Sequence, residues 1–261
     1  MMGSVYVLRA LVLVIIALCG CSGCASTASK IDPWEKTNRV FYDVNDGLDK
    51  AVLKPISEAY VKVVPQEFRK LLSNGFDNLG YFNVIVNDFL QGKWEQGWSD
   101  SGRMLVNSTL GVAGIFDVGT VWGMPAHDND LGITLGMWGV EPGPYIMLPL
   151  FGPTTVRDTT GIAFGIMANP LTWYNAGVVI TYPLNVLEAV DGRSRVEQEV
   201  RFRDQAAIDP YAFTRDAYLQ YREGLIHGTS KPKVDPGMYD DPDAETQPAT
   251  QPATRPGEDS K

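Results

Sequence analysis

Apolar side chains recur at helical spacing along most of the chain. Residues 76–91, FDNLGYFNVIVNDFLQ, place them at positions 76, 79, 82, 85, 86, 89 and 90, one face of an α-helix. The other face carries Asn78, Asn83, Asn87 and Asp88. Two readings follow: a core-facing helix with a solvated back, or a helix whose asparagines line a polar cavity. Residues 94–110 repeat the pattern more weakly, through Trp94, Trp98, Met104, Leu105 and Leu110. Upstream, Asp32-Pro33-Trp34-Glu35 predicts a helix start, with Asp as N-cap, Pro at the first helical position and Glu at the third. That helix is expected to reach about Asp46 and stop at Gly47. A second is expected over 48–63, with Pro65 restarting the chain into a short helix over 67–72. Downstream, 162–167 and 171–190 are apolar. The second run reads as helical, kinked near Pro183, and either buried or lying in a membrane interface. Residues 192–203 read as a charged helix. Asp209-Pro210-Tyr211 repeats the cap-and-proline start for a last helix to about Glu223, on which Tyr211, Arg215, Tyr218 and Arg222 share a face.

One stretch breaks the periodicity. Gly132–Asp158 is apolar and aromatic, yet it holds prolines at 142, 144, 149 and 153 and glycines at 132, 136, 139, 143 and 152. Proline removes a backbone donor and clashes with the preceding helical turn, and glycine adds an entropy cost. The run is therefore neither one regular helix nor a central strand. Its backbone polar groups still need partners, which predicts an ordered, folded-back loop held by the flanking helices. Residues 124–130, MPAHDND, invite a metal reading through His127, Asp128 and Asp130, but zinc sites usually draw on several His or Cys ligands, and a turn accounts for the segment better.

The ends differ from the body. Residues 1–20 read as a secretory signal, with Arg9 as a thin positive region and Ala10–Leu18 as the apolar core. Nine apolar residues are short for a membrane span, which needs about 20. Leu18-Cys19-Gly20-Cys21 looks like a bacterial lipobox, with Cys21 the acylated residue and Cys24 the second choice. Acyl chains contribute about 0.8 kcal/mol per buried methylene, so a multiply acylated cysteine is a firm anchor. A polar linker over 21–31 follows, then the folded body over 32–228. From 229 to 261 the chain is rich in Pro, Thr and Gln, includes the repeat TQPATQPAT, and is expected to be a disordered tail.

Charge and chemistry narrow the function. All three cysteines lie in the first 24 residues, so the body has neither disulfide nor thiolate chemistry. A net charge of −9 argues against nucleic acid, which calls for a basic face. Nucleophile-elbow, phosphate-loop and dinucleotide patterns are absent, and His127 and His227 stand in no recognisable catalytic context. The chain reads as a non-enzyme with no cofactor.

Several blocks resemble the MlaA (VacJ) family of Gram-negative outer-membrane lipoproteins. They include Asp32-Pro33-x-Glu35-x-x-Asn38-Arg39 with Tyr42 and Asn45, then Val64-Pro65-Gln66, Ser73-Asn74 and Phe89-Leu90-Gln91-Gly92. Arg103 and Asn107-x-x-Leu110-Gly111-x-x-Gly114-x-x-Asp117 follow. The centre contributes Leu135-Gly136-x-x-Gly139, Gly143-Pro144-Tyr145, Leu148-Pro149, Gly152 and Arg157-Asp158, and the end Asp209-Pro210-Tyr211, Arg215 and Tyr218. The likeness spans roughly 31–222 and is weakest over 169–203.

The resemblance implies a mainly α, ring-shaped protein with an irregular Gly/Pro-rich hairpin loop, lying in the inner leaflet of the outer membrane. It would enclose a polar channel through which misplaced outer-leaflet phospholipid moves to the periplasmic side. A soluble carrier, MlaC, would take the lipid onward, and a trimeric porin is a candidate neighbour. Asn38, Arg39, Tyr42, Asn45, Asn78, Asn107 and Asp117 become candidates for the channel wall or its internal hydrogen bonds. Gly139, Gly143, Pro144, Tyr145, Pro149, Gly152, Arg157 and Asp158 form the hairpin loop, which either gates the ring or plugs it. Apolar side chains from 76–91 and 171–190 should then form an exposed belt. Competing readings are a compact structural or adaptor lipoprotein without a conduit, and a lipid hydrolase.

Overall fold

The computed structural model describes residues 31–173 and 178–229. The signal segment, Cys21, Cys24, most of the linker and the tail beyond Thr229 lie outside the described residues.

The body is helical apart from one hairpin. Helix α1 (Glu35–Leu48) runs without a break through a π-helical turn (Asp49–Leu53) into α2 (Lys54–Val63). Gly47 is not a stop, and Asp32 is not the cap: Trp34 holds the cap position without a side-chain bond. Pro55 explains the wide turn. Inside a helix its ring clashes with the carbonyl four residues back, and opening the turn before it relieves that contact. Helix α3 (Gln66–Leu90) is one 25-residue helix where two were expected. Gly75 and Gly80 sit inside it with open space where a Cβ would be, each at a helix cost of about 1 kcal/mol relative to alanine. A tight turn at Gly92 (φ +73°) leads to α4 (Trp94–Thr109), which packs along α3.

Short helices α5 (Val118–Val121) and α6 (Leu131–Met137) are capped by Asp117 and Asp130, whose carboxylates accept from the Thr120 and Ile133 amides. The Gly132–Asp158 stretch therefore begins in a helix. It then folds back as an antiparallel pair, β1 (Tyr145–Leu148) with β2 (Gly152–Thr155), in the register Tyr145↔Thr155 to Leu148↔Gly152. The expected folded-back form is present, but the loop is a regular ladder with a three-residue tip, Pro149-Leu150-Phe151. Gly152 (φ +80°) closes the tip in the left-handed region that glycine enters freely. Arg157 and Asp158 belong to the next helix, α7 (Val156–Ala168), whose Thr155 cap accepts from the Asp158 amide.

The chain continues through α8 (Pro170–Trp173), α9 (Val178–Arg195), α10 (Glu197–Ala206) and α11 (Pro210–Ile226), with Pro183 inside α9. Asp209 caps α11 through the Ala212 amide, as expected, and α11 runs three residues beyond the expected end. Among the described residues, no helix is long and apolar enough to cross a membrane.

Candidate functional site

The burial pattern departs from that of an ordinary water-soluble bundle, although Tyr81, Val84 and Ile85 form a buried apolar cluster on α3. Among the described residues the buried set is dominated by polar side chains, including Asn38, Asn87, Asp88, Asp100, Arg157, Asp158, Asp191 and Arg222, and its largest apolar members are mostly tyrosines. The exposed set is rich in large apolar groups. Along α1, the π turn and α2, Val40, Val44, Leu48, Val52 and Ile56 form an exposed stripe at every fourth position. In an α-helix such a stripe drifts by about 40° per step, and the wide turn offsets part of that drift. Trp34, Trp94, Trp98, Trp122 and Trp138 are all exposed, from 45% to 70%. In α3 and α4, Phe82, Leu90 and Leu105 point outward as well, and Tyr182 and Val186 do so in α9. Gly97 lets α4 close on Phe89, whose ring meets Trp94 and Trp98 at 5.5 and 5.3 Å between centroids. Apolar patches of this extent mark contact with lipid or protein, and tryptophan favours the membrane–water interface.

Asparagines from α1 hold the hairpin from inside. Asn38 and Asn45 are seven residues apart, two helical turns, and so share a face. Asn38 Nδ2 donates to the Tyr145 carbonyl at 3.0 Å and its Oδ1 accepts from the Met147 amide at 3.0 Å. Asn45 repeats the pattern with the Leu148 carbonyl and the Leu150 amide, both at 2.9 Å. The free edge of β1 is thus paired by side-chain amides in place of a third strand, and Ile31 adds its carbonyl to the Tyr145 amide at 2.8 Å. Asp32, 1% exposed, is a buried tie: it accepts from Asn38 Nδ2 at 2.8 Å and from the Tyr211 hydroxyl. Tyr42 packs edge-on against Tyr211 in the aromatic cluster with Tyr145 and Met147. Arg39 makes a two-pronged pair with Asp209 at 2.7 and 3.1 Å and lies over the Tyr211 ring. The Arg39 bond holds the Asp209 carboxyl down at about 2.

The remaining candidates separate into two groups. Asn107, Asp117 and Arg103 close the glycine-rich 111–123 segment: Arg103 donates to both Asp117 oxygens at 2.7 Å, and Asn107 Oδ1 accepts from the Gly119 amide at 2.7 Å. Burial pushes Asp117 up, but bonds from Thr120 and Asn107 and the Arg103 charge outweigh it and leave it below the ordinary range. Asn78 donates to Ser108 at 3.0 Å, tying α3 to α4. Arg157 and Asp158 sit at the hairpin's exit. Asp158 accepts from Arg157, from Arg222 and from the Tyr218 hydroxyl. Burial alone would raise it, yet the two arginines hold it below the usual carboxylate range. Gly132 makes room here, since a Cβ would lie 2.7 Å from Arg222 Nη2 and from Asp158 Oδ1. Within the hairpin region Gly139 and Gly143 take positive φ, and Pro144 accepts from the Val156 amide at 3.2 Å.

The Asn-bearing face of α3 is not a solvated back. Asn87 and Asp88 are fully buried, and Asn87 accepts from Thr134 Oγ1 at 2.7 Å. His127 and Asp130 do not converge on a metal: His127 Nδ1 faces Asp100, and Asp130 binds Arg222. Among the described residues no group of three or more potential ligands could hold an ion. One organising residue went unpredicted. Asp191, 1% exposed, accepts from Tyr60 and Ser73 and pairs with Arg195 at 2.6 Å, joining α2, α3 and α9. Its only sequence signal is the Asp191-x-x-x-Arg195 spacing.

Known proteins are similar to this chain in sequence and fold. The family described as MlaA lipoprotein matches residues 30–224. The intermembrane phospholipid transport system lipoprotein MlaA of Shigella flexneri is 34% identical over 227 residues, covering 82% of this chain and 88% of its own. The protein of that name from Haemophilus influenzae is 29% identical over 211 residues, covering 78% and 84%. A solved structure described as "Structural basis for maintenance of bacterial outer membrane lipid asymmetry" superposes with a TM-score of 0.65 at 31% identity, covering 75% of this chain and 98% of its own. With the match running from the linker to the end of α11, the chain belongs to the MlaA lipoprotein family.

Proposed function

We propose that the chain is an outer-membrane lipoprotein, anchored through Cys21 on the periplasmic side. It withdraws misplaced phospholipid from the outer leaflet and passes it along a polar route to a soluble MlaC-like periplasmic carrier, so maintaining lipid asymmetry. The observation that carries this is the inversion: large apolar side chains and five tryptophans outward, polar and charged groups inward. A phospholipid needs a polar path for its headgroup and apolar surroundings for its tails, because an unpaired polar group in an apolar medium costs several kcal/mol. The family membership and the names of the relatives support the same reading. In it the buried asparagines and ion pairs serve chiefly as the frame that keeps the route open, the hairpin borders the route, and a trimeric porin is a neighbour in the membrane. No covalent chemistry is involved.

The test is deletion of the gene in its host, complemented with the full-length gene, followed by assay of phospholipid in the outer leaflet. Accumulation on deletion and its reversal on complementation are expected. An unchanged outer leaflet would sink the proposal and favour an adaptor lipoprotein without a conduit.

A further inference from the structure

The most unusual group inside the fold lies away from the hairpin, where α3, α4 and the 124–130 strap meet. Asp88 and Asp100 are both 0% exposed. Their approach follows from helical spacing: Gln96 of α4 donates to Asp88 Oδ1 at 2.8 Å, and Asp100, four residues on, lies on the same face of α4. Asn129 of the strap also donates to Asp88 Oδ1, at 2.8 Å. Asp100 accepts from the Tyr81 hydroxyl at 2.9 Å and faces His127 Nδ1 at 3.0 and 2.9 Å. Asp88 Oδ2 is buried without a hydrogen-bond partner among the described residues, and Asp100 is the neighbouring carboxyl that acts on it.

Two neighbouring carboxylates in a dry site cannot both ionise cheaply. A cation would relieve them, but among the described residues no third ligand converges. The charged groups nearby are committed. His127 turns to Asp100, and Arg103, over the Tyr81 ring at 5.9 Å, pairs with Asp117 at 2.7 Å. From α6 the neighbouring contact is neutral, Thr134 bonding Asn87. A proton on Asp88 Oδ2 makes the orphan acceptor a donor and removes one negative charge from the pair.

We propose that Asp88 and Asp100 share one proton, and that this acid–carboxylate pair is a pH-sensitive tie between α3 and α4. Burial, with the Asp100 contact acting in the same sense, pushes the Asp88 carboxyl up to about 7, against the opposing bond from Asn129. The sign follows. The folded chain keeps this proton to a higher pH than the unfolded chain, whose aspartates titrate near 3.9. The stabilisation is therefore full below about 4 and is lost as pH rises through about 7. The 124–130 strap covers the pair, with Asn129 donating to Asp88 and His127 facing Asp100.

The test is thermal unfolding of the full chain in detergent micelles between pH 5 and 8.5, comparing wild type, Asp88→Asn and His127→Asn. The asparagine amide donates where the acid hydroxyl did, at every pH. Asp88→Asn should match wild type at pH 5 and unfold roughly 5 °C higher at pH 8. His127→Asn keeps a donor towards Asp100 and should keep the wild-type slope. A wild-type slope in Asp88→Asn, or its loss in His127→Asn, would overturn the proposal. Should Asp88→Asn fail to fold, infrared spectra of the wild type labelled with ¹³C-aspartate decide the matter. A protonated carboxyl band at pH 6 that fades by pH 8 supports the shared proton, and its absence at pH 6 refutes it.

Discussion

Asn38 and Asn45 make the same pair of bonds to consecutive parts of the hairpin, yet their loss should differ several-fold in cost. In Asn38→Ala the Met147 amide and the Tyr145 carbonyl lose their partner at a site where Tyr145 and Met147 are 0% and 2% exposed. Asp32, 1% exposed, loses one donor as well. A buried group left without a partner costs about 1–3 kcal/mol, and more beside a charge, so the total should be about 3–5 kcal/mol. That is a large share of a typical stability of about 5–15 kcal/mol. Asn45→Ala strips the same two bonds at the tip, where Leu150 is 79% exposed and water replaces the lost partners, for about 1 kcal/mol. Urea unfolding of both variants in one detergent measures the difference at constant slope. Equal losses, or a larger loss at Asn45, would show that the side-chain amides do not act as a substitute strand.

Three further outcomes follow from the geometry. Asp158→Ala removes a buried carboxylate from between Arg157 and Arg222 and should cost about 3–5 kcal/mol, and a double-mutant cycle with Arg222→Met should show strong coupling. Arg39→Ala should let the Asp209 carboxyl rise from about 2 towards its ordinary value near 3.9, seen by NMR titration; since the folded value is depressed, the contribution is present above about 3.9 and lost as pH falls towards about 2. Leu105→Glu, at a position 65% exposed, should fold normally but bind lipid vesicles roughly 10- to 100-fold more weakly, because burying a leucine in an apolar phase is worth about 1.5–3 kcal/mol.

Much of the fold was legible where local chemistry and tertiary demand agree. The Asp209-Pro210 start reads correctly because the Asp209 carboxylate still accepts from the Ala212 amide while it pairs with Arg39. The near-identical Asp32-Pro33 start misleads because Asp32 is drawn inward by Asn38 and Tyr211, contacts no local window contains. Gly47 looks like a stop, yet the helix runs on through the π turn into α2. Periodicity shows that α3 has two faces, but not which one points inward. The burial of Asn87 and Asp88 beside exposed Phe82 and Leu90 shows that the asparagine face points inward. The hairpin was legible as a fold-back, while its ladder was hidden by Pro149 and Pro153. Pro153 is tolerated because β2 is an edge strand, where a missing donor leaves no gap.

The tie between Tyr211 and Asp32 joins residues 179 positions apart. Such a contact is among the last that a growing or refolding chain can make, because distant segments must meet before it yields any gain. Until α11 arrives, Asp32, Asp130 and Asp158 lack their partners on that helix, while the apolar belt is already exposed. The helix made last therefore acts as the keystone of assembly. A chain ending before Tyr211 would be a sticky, incompletely neutralised intermediate, the kind of species that depends on a chaperone until the last helix is in place.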